Sequence, residues 1–473
     1  MEQNLIKEED QKFRNELATV TKEGKRKWIY PKKPSGRFYN ARNIFSFILL
    51  LILFVTPLIK VNGQPLMLFD IMNRNFILFG IPFGPHDFHL FVLAMIAIIV
   101  FIILFTVVFG RVFCGWACPQ TIFMEMVFRK IEYWIEGDAK DQVKLNKAPW
   151  TGKKFFKKTT KQIIFYAIAF IISHTLLAYI IGLDKLKEVV TSPPSENLTG
   201  FFAIIIFSII FYWVFSNFRE QVCTIVCPYG RLQGVLLDQD SIVIAYDYKR
   251  GEPRGKLKRG EVERTNGDCI DCHLCVDVCP TGIDIRDGIQ LECVNCTACI
   301  DECDHVMDKI KKPRGLIRYA SLKGIESKAG FRFTPRMTLY TVILVALVGL
   351  LAYLLSVRTE YSIAILRTPG MLFQEQPNGI VSNLYDLNMV NKTFEETPVS
   401  LRLENIDGEL KIIGNDIILK PQEIIDGKFL IFISKSELTK MNTPVEIGVY
   451  SGDKLLESVM TSFLGPKPEE NKL

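Results

Sequence analysis

CIDCHLCVDVCP (residues 269–280) and CVNCTACIDEC (residues 293–303) are two copies of one pattern, each cysteine recurring 24 positions on. Both read C-x2-C-x2-C-x3-C. That spacing lets three thiolates wrap one face of an iron–sulfur cubane while the fourth reaches a second cluster. It therefore groups Cys269, Cys272, Cys275 and Cys303 around one 4Fe-4S cluster, and Cys293, Cys296, Cys299 and Cys279 around another. A structural zinc site usually takes four ligands in two C-x2-C pairs, which leaves half of this duplication unused. The expectation is a di-cluster, ferredoxin-like α+β domain inside residues 218–337, with its core at 265–310. The second copy ends in Cys303-Asp304 where a simple bacterial ferredoxin has Cys-Pro, and no ligand is lost. Cluster potentials span roughly −700 to +450 mV, so spacing does not set the direction of electron flow.

This segment is flanked by apolar sequence. Of 473 residues 49% are hydrophobic, with apolar runs at 44–59, 88–108, 163–183, 200–217 and 338–357. Crossing about 30 Å of hydrocarbon takes roughly 20 such residues. Four membrane helices are thus expected within residues 44–217 and a fifth at 338–357. Lys and Arg favour the cytoplasmic side of short loops. Residues 1–43 carry eleven, 129–161 ten and 309–336 nine, whereas 61–87 holds only Arg74 and 184–199 only Lys185 and Lys187. The N-terminal segment 1–43 and the ferredoxin segment are therefore expected in the cytoplasm, and residues 358–473 outside. The polar start is too long for a cleavable signal peptide, so the first run reads as a retained anchor. Each inward-facing cation gains about 1 kcal/mol near an anionic leaflet. Membrane lipid thus accounts for the net charge of +6, with no need for nucleic acid.

All twelve cysteines lie between Cys114 and Cys303, on or beside the side assigned to the cytoplasm. A disulfide framework would have the opposite distribution. Four of them form a second repeat: Cys114 and Cys118 of FCGWACPQT return as Cys223 and Cys227 of VCTIVCPYG, offset by 109. On a helix, positions i and i+4 share a face, so each pair can aim two sulfurs at one point. Pro119 and Pro228 follow directly, and a residue before proline resists the helical conformation. The helix is expected to end or kink there. Disulfide, inert packing and metal all remain as readings, and soft thiolates suit Cu(I), zinc or a further iron–sulfur centre. Arg111, Arg219 and Arg231 stand near enough in sequence to balance thiolate charge.

Beyond residue 357 the texture changes. SLRLEN, ELKIIG, KFLIFIS and VEIGVYSG put β-formers between Gly, Asp and Asn turns, which suits a C-terminal all-β, immunoglobulin-like sandwich. Asn391-Lys392-Thr393 fits a glycosylation pattern but reads as turn chemistry. His86 and His89 near Met67 and Met72 read as surface residues rather than a metal entry site. His174, inside a membrane run, is expected to be neutral and bonded to a neighbouring helix. His273 and His305 flank the cluster motifs and are expected to bond near the sulfurs without ligating.

With LFDIMNRNFILFG, CGWACPQT, EQVCTIVCPYGR, RGEPRG, CPTGIDIRDGIQLECVNCTACIDECDHVM and GLIRY in this order, the chain resembles the cytochrome c oxidase accessory proteins of the CcoG/FixG/RdxA family. The resemblance covers most of residues 60–320, and Cys303-Asp304 is part of that family's pattern. It implies a multi-pass polyferredoxin of the bacterial cytoplasmic (inner) membrane, with a periplasmic C-terminal domain. It also implies an oxidoreductase role: Cu(II) reduced to Cu(I) in support of cbb3-type cytochrome oxidase assembly. Carried over by position, Cys114, Cys118, Cys223 and Cys227 become the copper-handling or redox ligands, and the eight ferredoxin cysteines the electron supply. Implied partners are cbb3-type oxidase subunits or copper chaperones, with a cytoplasmic or quinol electron donor. Two other readings compete. One is a quinol-oxidising polyferredoxin subunit of a respiratory reductase, and the other a non-catalytic oxidase assembly scaffold.

Overall fold

In the computed structural model, residues 18–20, 23, 25–61, 63–71, 75–257, 266–327, 333–414, 417–421, 423–438 and 440–466 are described. Met72, residues 1–17 and the 258–261 part of the basic connector lie outside them. Among the described residues five helices are long and apolar enough to cross a membrane: Arg37–Leu58, Pro85–Phe109, Gly152–Ile181, Leu198–Phe218 and Pro335–Val357. At 22 residues the first spans ~33 Å at 1.5 Å per residue. At most 28% of any apolar window is buried within protein. Phe47, Ile98, Ile171, Ile210 and Val345 face outward, so hydrocarbon rather than water is the solvent these helices suit.

Two helices begin earlier than hydropathy indicates, because polar partners extend them. The first starts at Arg37 rather than 44 and has no side-chain cap from its own N-terminus. Asp301, from the ferredoxin segment, accepts instead from the amides of Phe38 at 3.1 Å and Tyr39 at 2.8 Å. Gly36 permits this approach: its φ is +146°, and a Cβ there would sit 2.4 Å from the Asp301 carboxyl carbon. The third helix starts at Gly152, where the Thr151 hydroxyl caps the Lys154 amide. Lys154 donates to Asn146 O and Ala148 O, and Lys158 and Lys161 each reach Glu136 at 2.9 Å. These polar turns carry the helix below its apolar part.

By internal contacts the chain divides into two units, residues 1–68 with 93–349, and residues 69–92 with 350–473. In the first, the ferredoxin segment pairs Val243–Tyr246 with Ile317–Ala320 antiparallel and adds the helices Leu274–Asp277 and Ala298–Lys309. Ile244, Tyr246, Val278, Ile300, Met307 and Ile317 pack with the cysteines into one core. The second unit is a sandwich. One sheet runs in the order Gly408–Ile413, Ile424–Ser434, Ile380–Asn391, Tyr361–Arg367, with Gln374–Gln376 added against Ile380–Asn391. The other runs Ile417–Leu419, Thr397–Leu403, Asn442–Ser451, Lys454–Leu464. Inward residues alternate, as a half-buried strand requires, and Tyr385, Phe429, Ile431, Val445, Ile447 and Phe463 are wholly buried. Asn391, the last residue of its strand, is also wholly buried: its amide donates to Glu395 O, Leu419 O and Lys420 O and accepts from Thr393, so it ties the following turn to the sandwich. His174 departs from expectation. Its Nδ1 donates to Phe170 O of its own helix at 2.7 Å, one turn back, rather than to a neighbouring helix.

Candidate metal centre

The two ferredoxin copies fold alike. Asp271 and His273 hold left-handed backbone at φ +53° and +57°, and the residues 24 on, Asn295 and Thr297, do the same at +54° and +67°. Each left-handed pair turns the chain so that successive cysteines point to one side. Two cavities result. One is lined by Cys269, Cys272, Cys275 and Cys303. The other is lined by Cys279, Cys293, Cys296 and Cys299, and Cys275 touches it as well. Among the described residues no three His, Cys, Asp or Glu side chains converge closely enough to hold a single ion. The ferredoxin sulfurs bound a volume rather than a point, as a cubane requires.

The connector between the copies supplies more than spacing. Arg286, almost wholly buried, bonds Asp271, Asp284 and His273 and lines the first cavity. Its charge opposes the rise that burial imposes on the Cys275 thiol, which still reaches about 12. His273 thus bonds Arg286 rather than sulfur, and His305 is exposed. Burial likewise pushes Cys293 and Cys303 up to about 12 and Cys296 up to about 11. A thiol must shed its proton to ligate, so loading releases protons. Below these values the affinity falls by up to about tenfold per pH unit per thiol. Iron and sulfide loading of the metal-free chain should therefore be much poorer at about pH 6.5 than at about pH 8.5. Equal iron content after loading at the two values would contradict this.

The C-x3-C-P motifs do not use the helical i, i+4 face. Cys114 sits in the short helix Val112–Trp116 and Cys223 in the π-helical turn Val222–Val226, while Cys118 and Cys227 lie beyond in extended backbone. Proline forces this break and then opens a new helix, where its missing N–H costs nothing. The 109-residue repeat holds in detail: Cys118 N bonds Phe113 O and Cys227 N bonds Val222 O, both across five residues. The four cysteines lie near enough for Cys114 and Cys223 to feel the charge of the others, though no three of them converge closely enough to hold a single ion. Burial pushes Cys114 up to about 11, with Cys118 and Cys227 adding to the rise and Gln233 and Arg111 opposing it. Burial takes Cys223 to about 12, helped by Cys118, Cys114 and Cys227. All twelve thiols are free of disulfides. Of the three arginines named from sequence, Arg111 serves this site. Arg219 is held by Glu132 in a bidentate pair at 2.7 and 2.8 Å, and Arg231 is exposed.

The two cysteine regions are fastened to each other. Gly115, between Cys114 and Cys118, lies so close to the second ferredoxin copy that a Cβ would meet Asn295 O at 2.4 Å and Val294 O at 2.6 Å. Arg42 of the first span donates to Gly115 O at 3.0 Å and to Cys296 O at 2.8 Å. Arg111 joins Gly230 O, Leu291 O and Cys293 O. Buried Gln233 donates to the Cys114 sulfur at 3.5 Å. Sequence reasoning passed over Arg42, Gln233 and Arg286. Arg42 alone had a signal, as a charge at the mouth of an apolar run.

Comparison with known proteins agrees with this architecture. Residues 218–322 match the family profile of a 4Fe-4S dicluster domain, residues 91–138 that of a 4Fe-4S binding domain, and residues 351–466 the IG-like fold at the C-terminus of FixG. Protein RdxA of Cereibacter sphaeroides is 35% identical over 395 residues, covering 80% of this chain and 83% of that protein. Protein RdxB of the same organism is 35% identical over 433 residues, covering 85% and 90%. Nitrogen fixation protein FixG of Rhizobium meliloti is 32% identical over 430 residues, covering 81% and 80%. A solved FixG-related protein from Vibrio parahaemolyticus aligns with 23% of this chain and 97% of its own, at 18% identity and a TM-score of 0.20. With five apolar spans, iron–sulfur domains and relatives at this identity over most of its length, the chain belongs to the FixG/RdxA family of membrane iron–sulfur proteins.

Proposed function

We propose that the chain carries electrons from its ferredoxin segment to the four cysteines of the C-x3-C-P motifs and there reduces Cu(II) to Cu(I). The copper would serve assembly of a cbb3-type oxidase. Cys269, Cys272, Cys275 and Cys303 hold one 4Fe-4S cluster, and Cys279, Cys293, Cys296 and Cys299 the other. When bound, such clusters supply one-electron carriers. The observation that carries this reading is the backbone contact of Gly115 with Val294 and Asn295, which sets the Cys114 loop against the Cys293–Cys296 loop. Arg42 and Arg111 hold that contact while balancing charge on both sides. Each Cu(II) takes one electron, and soft thiolates at Cys114, Cys118, Cys223 and Cys227 favour the Cu(I) produced.

In this reading the basic loops and the ferredoxin segment face the cytoplasm. The C-terminal sandwich faces the periplasm and docks an oxidase subunit or copper chaperone. The test uses full-length protein loaded with iron and sulfide and reduced with dithionite. Wild type should hold about eight iron atoms, from the two-cluster ligand count, and turn over Cu(II) in the presence of a Cu(I)-specific chelator. Cys114→Ser/Cys223→Ser should keep the iron and lose Cu(II) reduction at least tenfold. Unchanged reduction sinks the cysteine assignment, and zinc in place of iron sinks the clusters.

A further inference from the structure

A charged side chain is costly to bury unless an opposite charge meets it. Arg42 and Arg111 are 4% and 5% exposed. Among the described residues every acceptor they have is a backbone carbonyl. Arg42 donates to Gly115 O at 3.0 Å and to Cys296 O at 2.8 Å. Arg111 donates to Gly230 O, Leu291 O and Cys293 O, and its Nε has no acceptor. Glu292 feels the charge of Arg111 but stands beyond ion-pair distance of it. Both guanidiniums act on the second cysteine set. Burial raises the Cys296 and Cys293 thiols, and Arg42 opposes the first rise and Arg111 the second. Glu125, which also acts on Cys296, is matched by Arg129 at 3.2 Å. The first set is charged the other way. Arg286 lines its chamber, but Asp271 and Asp284 each meet that guanidinium at 2.6 Å, two carboxylates against one cation. Cys272 is exposed there, so water screens the remainder. The second chamber is walled by Ile244, Ile283, Ile285 and Val294, which screen nothing.

We propose that Arg42 and Arg111 are the counter-charges of the cluster held by Cys279, Cys293, Cys296 and Cys299, and that they set its reduction potential above that of the other; this rests on the reading of both sites as 4Fe-4S clusters. A cubane bound by four thiolates is an anion, and each electron it takes adds one negative charge. Net charge and solvent exposure are among the levers that set such potentials. Two cations without carboxylates favour the reduced, more negative form. Arg286, outnumbered by Asp271 and Asp284, does not. Burial alone would favour the oxidised form at the second site, as it favours the uncharged thiols. The same burial removes the water that would screen the guanidiniums, so their uncompensated charge is felt more strongly than in solvent. The step is the transfer of a single electron from the first site to the second. No bond forms or breaks and no proton moves. The electron then rests beside the Cys114 loop, because Arg42 joins Gly115 O to Cys296 O. Arg42 and Arg111 ligate nothing and act through their charge. They supply the direction of flow that cysteine spacing leaves open.

The experiment is a potentiometric titration of the full-length protein, loaded with iron and sulfide, in lipid nanodiscs. Paramagnetic resonance reads the reduced fraction, and iron is counted on the same samples. Wild type should show two potentials at least about 59 mV apart, a tenfold difference in a one-electron equilibrium. Arg42→Gln and Arg111→Gln should each lower the higher potential and leave the lower one in place. Arg286→Gln should lower only the lower one. Arg111→Lys keeps the charge and loses the guanidinium fork, so its potentials should stay near those of wild type. A single unresolved potential in wild type overturns the proposal. So does Arg111→Gln that moves the lower potential or neither, or Arg111→Lys that falls as far as Arg111→Gln. If Arg111→Gln fails to hold iron, Arg42→Gln carries the same prediction, and the wild-type gap needs no variant. Iron content separates the two readings. Well short of about eight atoms, the cluster assignment itself fails. With eight atoms and merged potentials, only the role of the two arginines falls.

Discussion

Glu132→Ala should destabilise the protein by about 3–5 kcal/mol, the cost of leaving a buried charge without its partner. Glu132 and Arg219 are both almost wholly buried, and their pair is bidentate at 2.7 and 2.8 Å. Lys161 adds a contact at 3.5 Å. Removing the carboxylate strands the Arg219 guanidinium, whose remaining anion, Glu220, stands 3.7 Å away. Burial alone would raise the Glu132 carboxyl. Arg219, then Lys161 and Arg129, outweigh it and hold the group at about 2 instead of the ordinary 4.5. A depressed acid stabilises fully above its ordinary value and loses that contribution as pH falls through its folded value. The loss from this pair is therefore expected between pH 4.5 and about 2. Thermal unfolding in nanodiscs measures it. Glu132→Leu/Arg219→Met should recover much of the deficit, because an apolar replacement of a buried pair is often near neutral. Lys428→Ala, which breaks the exposed pair with Asp386, should cost no more than about 1 kcal/mol. A Glu132→Ala loss below that control would show that water reaches the network.

Gly115→Ala should leave the spans and the iron content intact and slow electron delivery to the cysteines severalfold, because the two loops must separate. The added methyl meets two backbone carbonyls, Asn295 O at 2.4 Å and Val294 O at 2.6 Å, and neither can swing aside as a side chain could. The Cys114 loop and the Cys293–Cys296 loop must part, and Arg42 can no longer bond Gly115 O and Cys296 O together. The rate of Cu(II) reduction after dithionite, with iron content measured alongside, reads the effect. Gly349→Ala, in the fifth span with open space around it, is the control and should match wild type. Wild-type kinetics in Gly115→Ala would mean that electrons do not pass by this contact.

Much of this was legible in residue order because the signals are local. The C-x2-C-x2-C-x3-C copies, the five apolar runs and the strand-rich C-terminus each declare themselves within a dozen to a few dozen residues. Where expectation and structure part, a distant partner intervenes. The first helix starts at Arg37 because Asp301, more than 260 residues away, caps it. The connector after Pro280 carries no cysteine before Cys293, yet its Arg286 buries its charge beside the first cysteine chamber. The C-x3-C pairs suggested a shared helical face, but each helix breaks before its proline, so the second sulfur of each pair reaches the site from extended backbone.

The sequence by itself determined the five apolar spans, the two kinds of cysteine motif and their internal repeats. Hydropathy and thiolate spacing act over one helix or one loop, so no partner is needed to read them. Only the tertiary structure decided that Cys114, Cys118, Cys223 and Cys227 lie near one another, that Gly115 and Arg42 fasten the Cys114 loop to the second cysteine set, and that two glutamates face a cavity beside it. Those contacts join residues from opposite ends of the first unit. They form because a buried backbone carbonyl or carboxylate must find a donor wherever the packing brings one.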